Sequence, residues 1–207
     1  MSNAAKSASR DLLLDAAVAL IRTQGLHATT VDDLCAAAGV SKGAFFHHFA
    51  SKEDLAIAAA DHWSVTTSRL FADAAYHEHD NPADRVFGYL DFRASIIGDE
   101  IEQYTCLVGT MAQEAYATPP AIRDAGAASI LGHALTLEAD IAAALRDADP
   151  HRADFTALAA SLARYTQVVL QGAFVVSKAA DDPELARDSV AHLRRYFEML
   201  FHHDQGA

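Results

Sequence analysis

The segment from residue 25 to residue 55 constrains the fold of this chain more than any other stretch. It contains two short helix-forming runs that are separated only by Gly39 and Val40. Thr30 is a favourable N-cap for the first run, and the side chain of Asp33 stands where it can reach back to the cap. Gly39 stands where a helix ends in a left-handed residue. This spacing predicts a helix-turn-helix, whose second helix can enter the major groove of DNA.

The two runs also separate into a buried side and an exposed side. In the first run, apolar residues recur at helical spacing from Val31 to Ala38. Ser41 caps the second run, in which Phe45 and Phe49 are predicted to face inward. The opposite side of that run carries the candidate contact residues Lys42, Gly43, Phe46, His47 and His48. Ser51 and Asp54 repeat the capping arrangement and open a third helix.

These polar residues suit two kinds of DNA contact. Thr30, Lys42, His48 and Lys52 have the chemistry to bind phosphate oxygens, which position a protein without specifying sequence. His47 and the start of the second helix, Lys42-Gly43-Ala44, are better placed for base edges in the major groove. The alternative is that these side chains have no role in binding: His47 and His48 would then be solvent-exposed histidines, and Lys52 a solvent-exposed lysine at the start of a helix. A metal-binding histidine pair is disfavoured, because adjacent helical residues point about 100° apart.

The same segment resembles the DNA-binding domain of the TetR/AcrR family of bacterial transcriptional regulators. The resemblance covers roughly the first quarter of the chain. It rests on Thr29-Thr30-Val31, Asp33-Leu34, Ala37-Ala38-Gly39-Val40-Ser41-Lys42-Gly43, His48-Phe49, Ser51-Lys52-Glu53 and Leu55. The chain departs from the family pattern at Cys35, where the family usually has Ala, and at Phe46, where it usually has Tyr. A Tyr hydroxyl at this position commonly contacts a phosphate, so that contact is lost or compensated here.

The resemblance implies a homodimer with two DNA-binding heads that reads a palindromic double-stranded operator, and a domain that binds a small-molecule effector. The family's usual mode is repression that the effector relieves. A transcriptional activator, or a helical adaptor that uses the head to bind a protein, remains as an alternative. Pattern and resemblance together assign DNA contact to Thr29, Thr30, Ser41, Lys42, Gly43, Ala44, Phe46, His47, His48 and Lys52.

Charge is divided unequally along the chain, whose formal net charge is −12. Residues 1–52 hold five Lys/Arg and four Asp/Glu, whereas the remainder is strongly acidic. The acidic part would repel DNA and favour one docking orientation. A head with so little positive charge is expected to depend on dimerisation for affinity, and its binding should weaken as salt rises.

Composition favours an all-α chain of about nine helices: 51% of the residues are apolar, Gly and Pro are few, and no strand-like alternation occurs. We expect a three-helix DNA-binding domain over residues 1–51 and an effector-binding and dimerisation domain over residues 52–207. Helices are predicted over residues 9–23, 31–38, 42–49, 52–76, 82–97, 101–117, 118–148, 153–180 and 183–201.

The sequence shows no constellation typical of an enzyme and no cofactor motif. Cys35 and Cys106 form neither a disulfide framework nor a zinc motif, and a redox role for them is left open. The run from His77 to Asp80 looks like a metal cluster, although a polar interhelical loop explains it better. No signal peptide is recognised, so we expect a cytoplasmic protein.

The helix predicted over residues 153–180 is apolar on nearly every side, which indicates burial on both sides. A membrane span is the competing interpretation, but Arg164, Gln167 and Gln171 would be costly in lipid, and no membrane partner is expected. In proteins similar to this one the last two helices form the dimer interface, here assigned to Leu162, Val169, Phe197 and Leu200. Candidate effector-lining residues are Phe87, Phe92, Ile96, Tyr104, Met111, Gln113, Glu114, Tyr165 and Phe174, each of which is more often plain core.

Overall fold

A computed structural model describes the backbone of residues 3–114 and 120–202, and the side chains of residues 8–114 and 120–201. Within these ranges every regular element is helical, which confirms the predicted all-α class. The helices are α1 Asn3–Gln24, α2 Val31–Ala38, α3 Lys42–His48, α4 Lys52–Ala72, a 3-10 helix Ala75–Glu78, α5 Pro82–Ser95, α6 Ile101–Tyr104, α7 Leu107–Glu114, α8 Pro120–Ala148, α9 Phe155–Ala180 and α10 Glu184–His202.

The helix predicted over residues 101–117 is interrupted, so the described part of the chain has ten α-helices rather than about nine. The break lies at Thr105 and Cys106. The backbone carbonyl of Thr105 accepts hydrogen bonds from Arg22 at 2.9 and 2.6 Å. The next ladder bond runs from the Thr110 N–H to the Cys106 carbonyl, so α7 begins after Cys106. Residues 115–117 of the predicted helix lie outside the described residues.

Local capping places several helix ends where the sequence predicts them. Asn81 accepts a hydrogen bond from the Ala83 N–H at 2.8 Å, and Pro82 occupies the first turn of α5. Proline is favoured there because its missing N–H would have no helical partner. The helix predicted to continue to residue 76 ends at Ala72, and the short 3-10 helix follows it.

The chain divides into two compact units. Unit 1 consists of residues 1–68 and 105–129. In unit 1, α1 packs against α2, α3 and α7, and α2 packs against α3. Its fully buried side chains include Leu13, Leu34, Phe45, Leu107 and Met111. The predicted functional boundary between residues 51 and 52 stays a prediction, because it separates functions rather than packed units.

Unit 2 consists of residues 69–104 and 130–207. In unit 2, α10 packs against α9 and α5, α5 packs against the 3-10 helix, and α6 packs against α9. Its core includes Tyr89, Leu90, Tyr104, Ile141, Leu170 and Phe197, each at most 2% exposed.

Of the described helices, α8 alone is long and apolar enough to cross a membrane, judged by length and composition. A core helix of a soluble protein meets the same criterion. Ile141 and Leu145 of α8 are buried within unit 2. Asp140 on the same helix forms an ion pair with Arg85 at 2.7 Å. These contacts match a helix that packs against protein.

Candidate DNA-binding site

The helix-turn-helix of unit 1 is fixed by hydrogen bonds at both ends of α2. The Thr30 hydroxyl accepts from the Asp33 N–H at 3.1 Å, and the Thr30 N–H donates to the Asp33 carboxylate at 2.9 Å. Gly39 ends α2 in the left-handed conformation, with φ 64°. The Val40 N–H then donates to the Cys35 carbonyl at 3.0 Å. These bonds set the angle at which the chain enters α3.

Helix α3 buries one side and exposes the other. Ser41 caps the helix, accepting from the Ala44 N–H at 3.2 Å. Phe45 is fully buried and Phe49, just after the helix, is 3% exposed. The outward surface of α3 is formed by exposed Lys42, Gly43, Phe46 and His47. We call these four residues the α3 surface. Because the buried aromatic rings anchor the helix, the α3 surface is presented in a defined orientation.

Electrostatic contacts modify this surface. The Lys42 ammonium lies 2.7 Å from the Asp32 carboxylate, and both side chains are exposed. Hydrogen bonding to Asp32 raises the pKa of Lys42, so this cation stays charged. A phosphate would therefore have to compete with Asp32 for the ammonium. Hydrogen bonds from Thr30 hold the pKa of Asp33 below its usual value, which keeps the capping carboxylate ionised.

Thr29 and Lys52, two of the predicted contact residues, are engaged in contacts within unit 1. Thr29 is fully buried, and its hydroxyl donates to the Gly25 carbonyl at 2.6 Å. The Lys52 ammonium is half-buried and donates to the carbonyls of Leu26 at 2.8 Å and His27 at 3.3 Å. In this structure Lys52 therefore ties the start of α4 to the turn between α1 and α2, and that role has no signal in local spacing.

His48, another predicted contact residue, lies close to the first helix. His48 is half-buried, and its Nε2 lies 2.8 Å from the Ser9 hydroxyl of α1. The guanidinium of exposed Arg10 lies 5.6 Å from the centre of the Phe49 ring. The sequence pattern does not mark Arg10, because this residue lies in α1, well before the helix-turn-helix. Its exposed charge beside α3 makes it a further candidate for phosphate contact.

The end of α1 is held by residues from much later in the chain. The Arg22 guanidinium stacks over the Trp63 ring at 4.6 Å while it binds the Thr105 carbonyl. The Glu114 carboxylate at the end of α7 accepts from the His27 N–H at 3.0 Å. Gly25 has φ +91°, and a Cβ on it would overlap this carboxylate. The Thr105 carbonyl just before α7 thus holds the end of α1, and Glu114 at the end of α7 holds the turn before α2.

The predicted effector-lining residues divide between the two units. Phe87, Phe92, Ile96, Tyr104, Tyr165 and Phe174 belong to unit 2, and Met111, Gln113 and Glu114 belong to unit 1. Phe87 packs on Phe201 with ring centres 5.7 Å apart. Tyr165 is 46% exposed, whereas Met111 is fully buried. Glu114 contacts the α1–α2 turn. As a set, these residues stay a prediction about the effector site.

Within the described ranges, the histidines and cysteines do not form a metal-binding cluster. No group of three or more His, Cys, Asp or Glu there could hold a metal ion. In the His77–Asp80 run, His77 Nε2 lies 3.0 Å from the Phe71 carbonyl. Both cysteines are free thiols, and burial raises the pKa of Cys35, which disfavours its reactive thiolate.

Comparison with known proteins gives matches to the DNA-binding segment. Residues 13–59 match the family model for bacterial regulatory proteins of the tetR family. The transcriptional repressor KstR2 of Rhodococcus jostii is 50% identical over 50 residues, which are 24% of this chain and 24% of that protein. KstR2 of Mycobacterium tuberculosis is 48% identical over 46 residues, 22% of this chain and 23% of that protein. The chain therefore matches only about a quarter of the length of these curated relatives.

Solved structures match over nearly the whole chain. A TetR transcriptional regulator from Chloroflexus aurantiacus superposes with a TM-score of 0.79 and 24% identity, covering 94% of this chain and 96% of that one. A TetR-family regulator from Agrobacterium tumefaciens gives 0.75 and 16%, covering 92% and 98%. At these levels of sequence identity, the structural similarity establishes the fold of this chain.

Proposed function

Because the chain belongs to the TetR family of bacterial regulatory proteins, we propose that it is a sequence-specific DNA-binding transcriptional regulator. The observation that carries the proposal is the α3 surface: four outward residues on a short helix that is capped by Ser41 and anchored by Phe45. His47 and Gly43 stand where side chain and backbone can approach base edges, and Lys42 can meet a phosphate. Similarity to repressors named KstR2 supports repression as its mode.

A gel-shift titration with the DNA upstream of the protein's own gene tests this proposal. We expect specific retardation that weakens as salt rises. His47→Ala should lower the affinity about tenfold, since it removes a base-edge contact. Arg69→Ala is the control, because this exposed cation belongs to unit 2 and not to the helix-turn-helix. Absence of specific retardation, or equal losses in both variants, would contradict the proposal and favour the protein-binding adaptor.

The proposed regulator acts as a homodimer through an exposed apolar stripe on unit 2. On α9 the stripe consists of Tyr165, Val168, Val175 and Val176, which are 43–67% exposed. Tyr196 and Met199 of α10 continue it, and the rings of Tyr165 and Tyr196 lie 5.8 Å apart. Such contiguous exposed apolar residues are typical of subunit interfaces.

The stripe changes which residues are assigned to the interface. Leu162 is 3% exposed and Phe197 is 1% exposed, so both pack inside the subunit. Val169 and Leu200 are half-buried. Leu162 and Phe197 therefore face the inside of the subunit, and a charge at Phe197 would disturb folding rather than assembly, whereas Val169 and Leu200 stay predicted interface residues. We therefore assign the exposed apolar stripe to the contact with a second copy of this chain.

Sedimentation velocity tests the assembly. Val168→Glu should give a folded monomer, because a buried unpaired carboxylate at a subunit interface is strongly unfavourable. Val65→Glu makes the same change at an exposed valine of α4 and should leave the dimer intact. A Val168→Glu protein that stays dimeric would exclude this stripe from the interface.

Release by a small-molecule effector completes the proposal. Helix α7 is attached to the α1–α2 turn through Glu114, and Thr105 just before α7 holds Arg22. A shift of α7 would thus be transmitted to the helix-turn-helix within unit 1. An effector that stabilises the shifted state would move the two heads away from a half-site spacing of about 34–36 Å.

A further inference from the structure

Arg93 on α5 is a half-buried cation that pairs with no carboxylate among the residues of unit 2 that the structure describes. Its Nε is buried and has no hydrogen-bond partner among the described residues. Its guanidinium stacks on the Phe71 ring at 4.6 Å, and neither an ion pair nor a hydrogen bond of Arg93 occurs within the described ranges. Buried polar atoms are nearly always hydrogen-bonded, so each exception calls for a partner.

Two carboxylates of unit 2, those of Asp140 and Asp91, are paired with other arginines. Asp140 on α8 binds Arg85 at 2.7 Å. Asp91, two residues before Arg93, binds Arg194 at 2.9 Å. Pairing Arg93 with either one would break an existing ion pair. The positive charge is therefore available to an anion that comes from outside the chain.

The surroundings of Arg93 are aromatic. The Phe71 ring contacts Phe92 at 5.3 Å and His133 at 4.6 Å, both edge to face. Tyr89 joins the same cluster, with its hydroxyl 3.1 Å from His133 Nε2. Burial and the charge of Arg93 lower the pKa of His133 to about 4, so the imidazole is neutral at physiological pH. The positively charged Arg93 thus lies beside a cluster of aromatic rings.

We propose that Arg93 and the rings of Phe71, Phe92 and His133 form a binding site for a small aromatic carboxylic acid. A guanidinium binds a carboxylate through two parallel hydrogen bonds, and it would use the unpaired Nε–H. Flat apolar ligands gain from offset or edge-to-face contact with aromatic side chains. This inference rests on the proposed effector-responsive function and names the chemical class of the effector.

Calorimetric titration of the full-length, DNA-free protein with 2-naphthoate tests the site, with uncharged 2-naphthamide as the matched ligand. The wild type should bind the acid at least about tenfold more tightly than the amide, because only the acid forms charge-assisted bonds. Arg93→Met, which keeps an apolar stem on Phe71, should abolish that preference. Arg146→Met is the control, since Arg146 also stacks on a ring, that of Phe155, at 4.6 Å.

Three outcomes would overturn the site: no binding of 2-naphthoate up to its solubility limit, equal affinity for acid and amide, or an unchanged preference in Arg93→Met. Should Arg93→Met fail to fold, Arg93→Lys takes its place. It retains the charge without the planar fork, and an affinity for the acid equal to that of the wild type would overturn the bidentate contact.

A parallel gel-shift with 2-naphthoate separates this inference from the function on which it rests. Acid binding through Arg93 without any effect on DNA retardation would leave the site standing and remove its effector role. A protein that never retards DNA would contradict the proposed function, while the calorimetric result on Arg93 would still decide the site.

Discussion

Acidification should destabilise this protein through His133 in a way that can be calculated. The folded protein holds the imidazole neutral, since burial and the charge of Arg93 lower its pKa from 6.5 to about 4. In the unfolded chain the ring titrates at its ordinary pKa. Between these two values the unfolded state binds more protons, so the free energy of unfolding must fall as pH falls. Above the unfolded pKa both states are neutral, and His133 has no effect.

The size of the effect follows from the two pKa values. Lowering the pH from about 7 to about 5 should cost the folded state about 2 kcal/mol through His133 alone. His133→Gln removes the titration, while its side-chain oxygen can still accept the Tyr89 hydroxyl that lies 3.1 Å from the histidine ring. The pH dependence of the variant should therefore be shallower by about that amount.

Urea denaturation at the two pH values, at one fixed protein concentration, measures this difference. Other groups titrate equally in wild type and variant, so they cancel in the comparison. His151→Gln is the control, because it makes the same substitution at an exposed histidine. Equal pH dependence in wild type and His133→Gln would refute the reasoning, as would an NMR titration of His133 with an ordinary midpoint.

Three further predictions concern unit 1. Gly25→Ala should lower the free energy of unfolding by more than about 1 kcal/mol, because φ is +91° and the new Cβ meets the Glu114 carboxylate. Gly39→Ala, at φ +64° with open space around it, should lower the free energy of unfolding by less in the same urea assay. Thr30→Ala should lower the free energy of unfolding by about 1 kcal/mol, because it removes the N-cap of α2, whereas Thr30→Ser should retain most of that stability. Equal losses of stability in the two variants would contradict the capping role. Phe46→Tyr should tighten operator binding in a gel-shift, since Phe46 is 58% exposed and a hydroxyl there can reach a phosphate; unchanged affinity would show that the lost contact is compensated elsewhere.

Local signals in the sequence predict local structure well in this protein. Thr30, Gly39, Ser41 and Asn81 mark helix ends through bonds to residues within five positions. Phe45 and Phe49 are buried as helical periodicity predicts. The exposed residues of α3 follow directly from these assignments.

Contacts between distant residues account for what the sequence does not predict. The partners of Lys52 are carbonyls 25 and 26 residues earlier, and the break before α7 is stabilised by Arg22. Helix α9 is apolar on several sides, so composition alone does not decide that Leu162 faces the core and Val168 faces outward. The buried Arg93 Nε has no partner among the described residues, while Asp91 pairs with Arg194 and Asp140 pairs with Arg85; these pairings are properties of the folded chain.

The contacts of Glu114 and Thr105 with the end of α1 bear on how this protein can be engineered. A fragment that ends at residue 51 would leave the Arg22 guanidinium and the His27 N–H without the partners they have here. A chimaera that transplants the DNA-reading head should therefore carry residues 105–114 as a second, non-contiguous insert. Specificity in this protein is portable only as two pieces of chain, and recombination at a single crossover point would separate them.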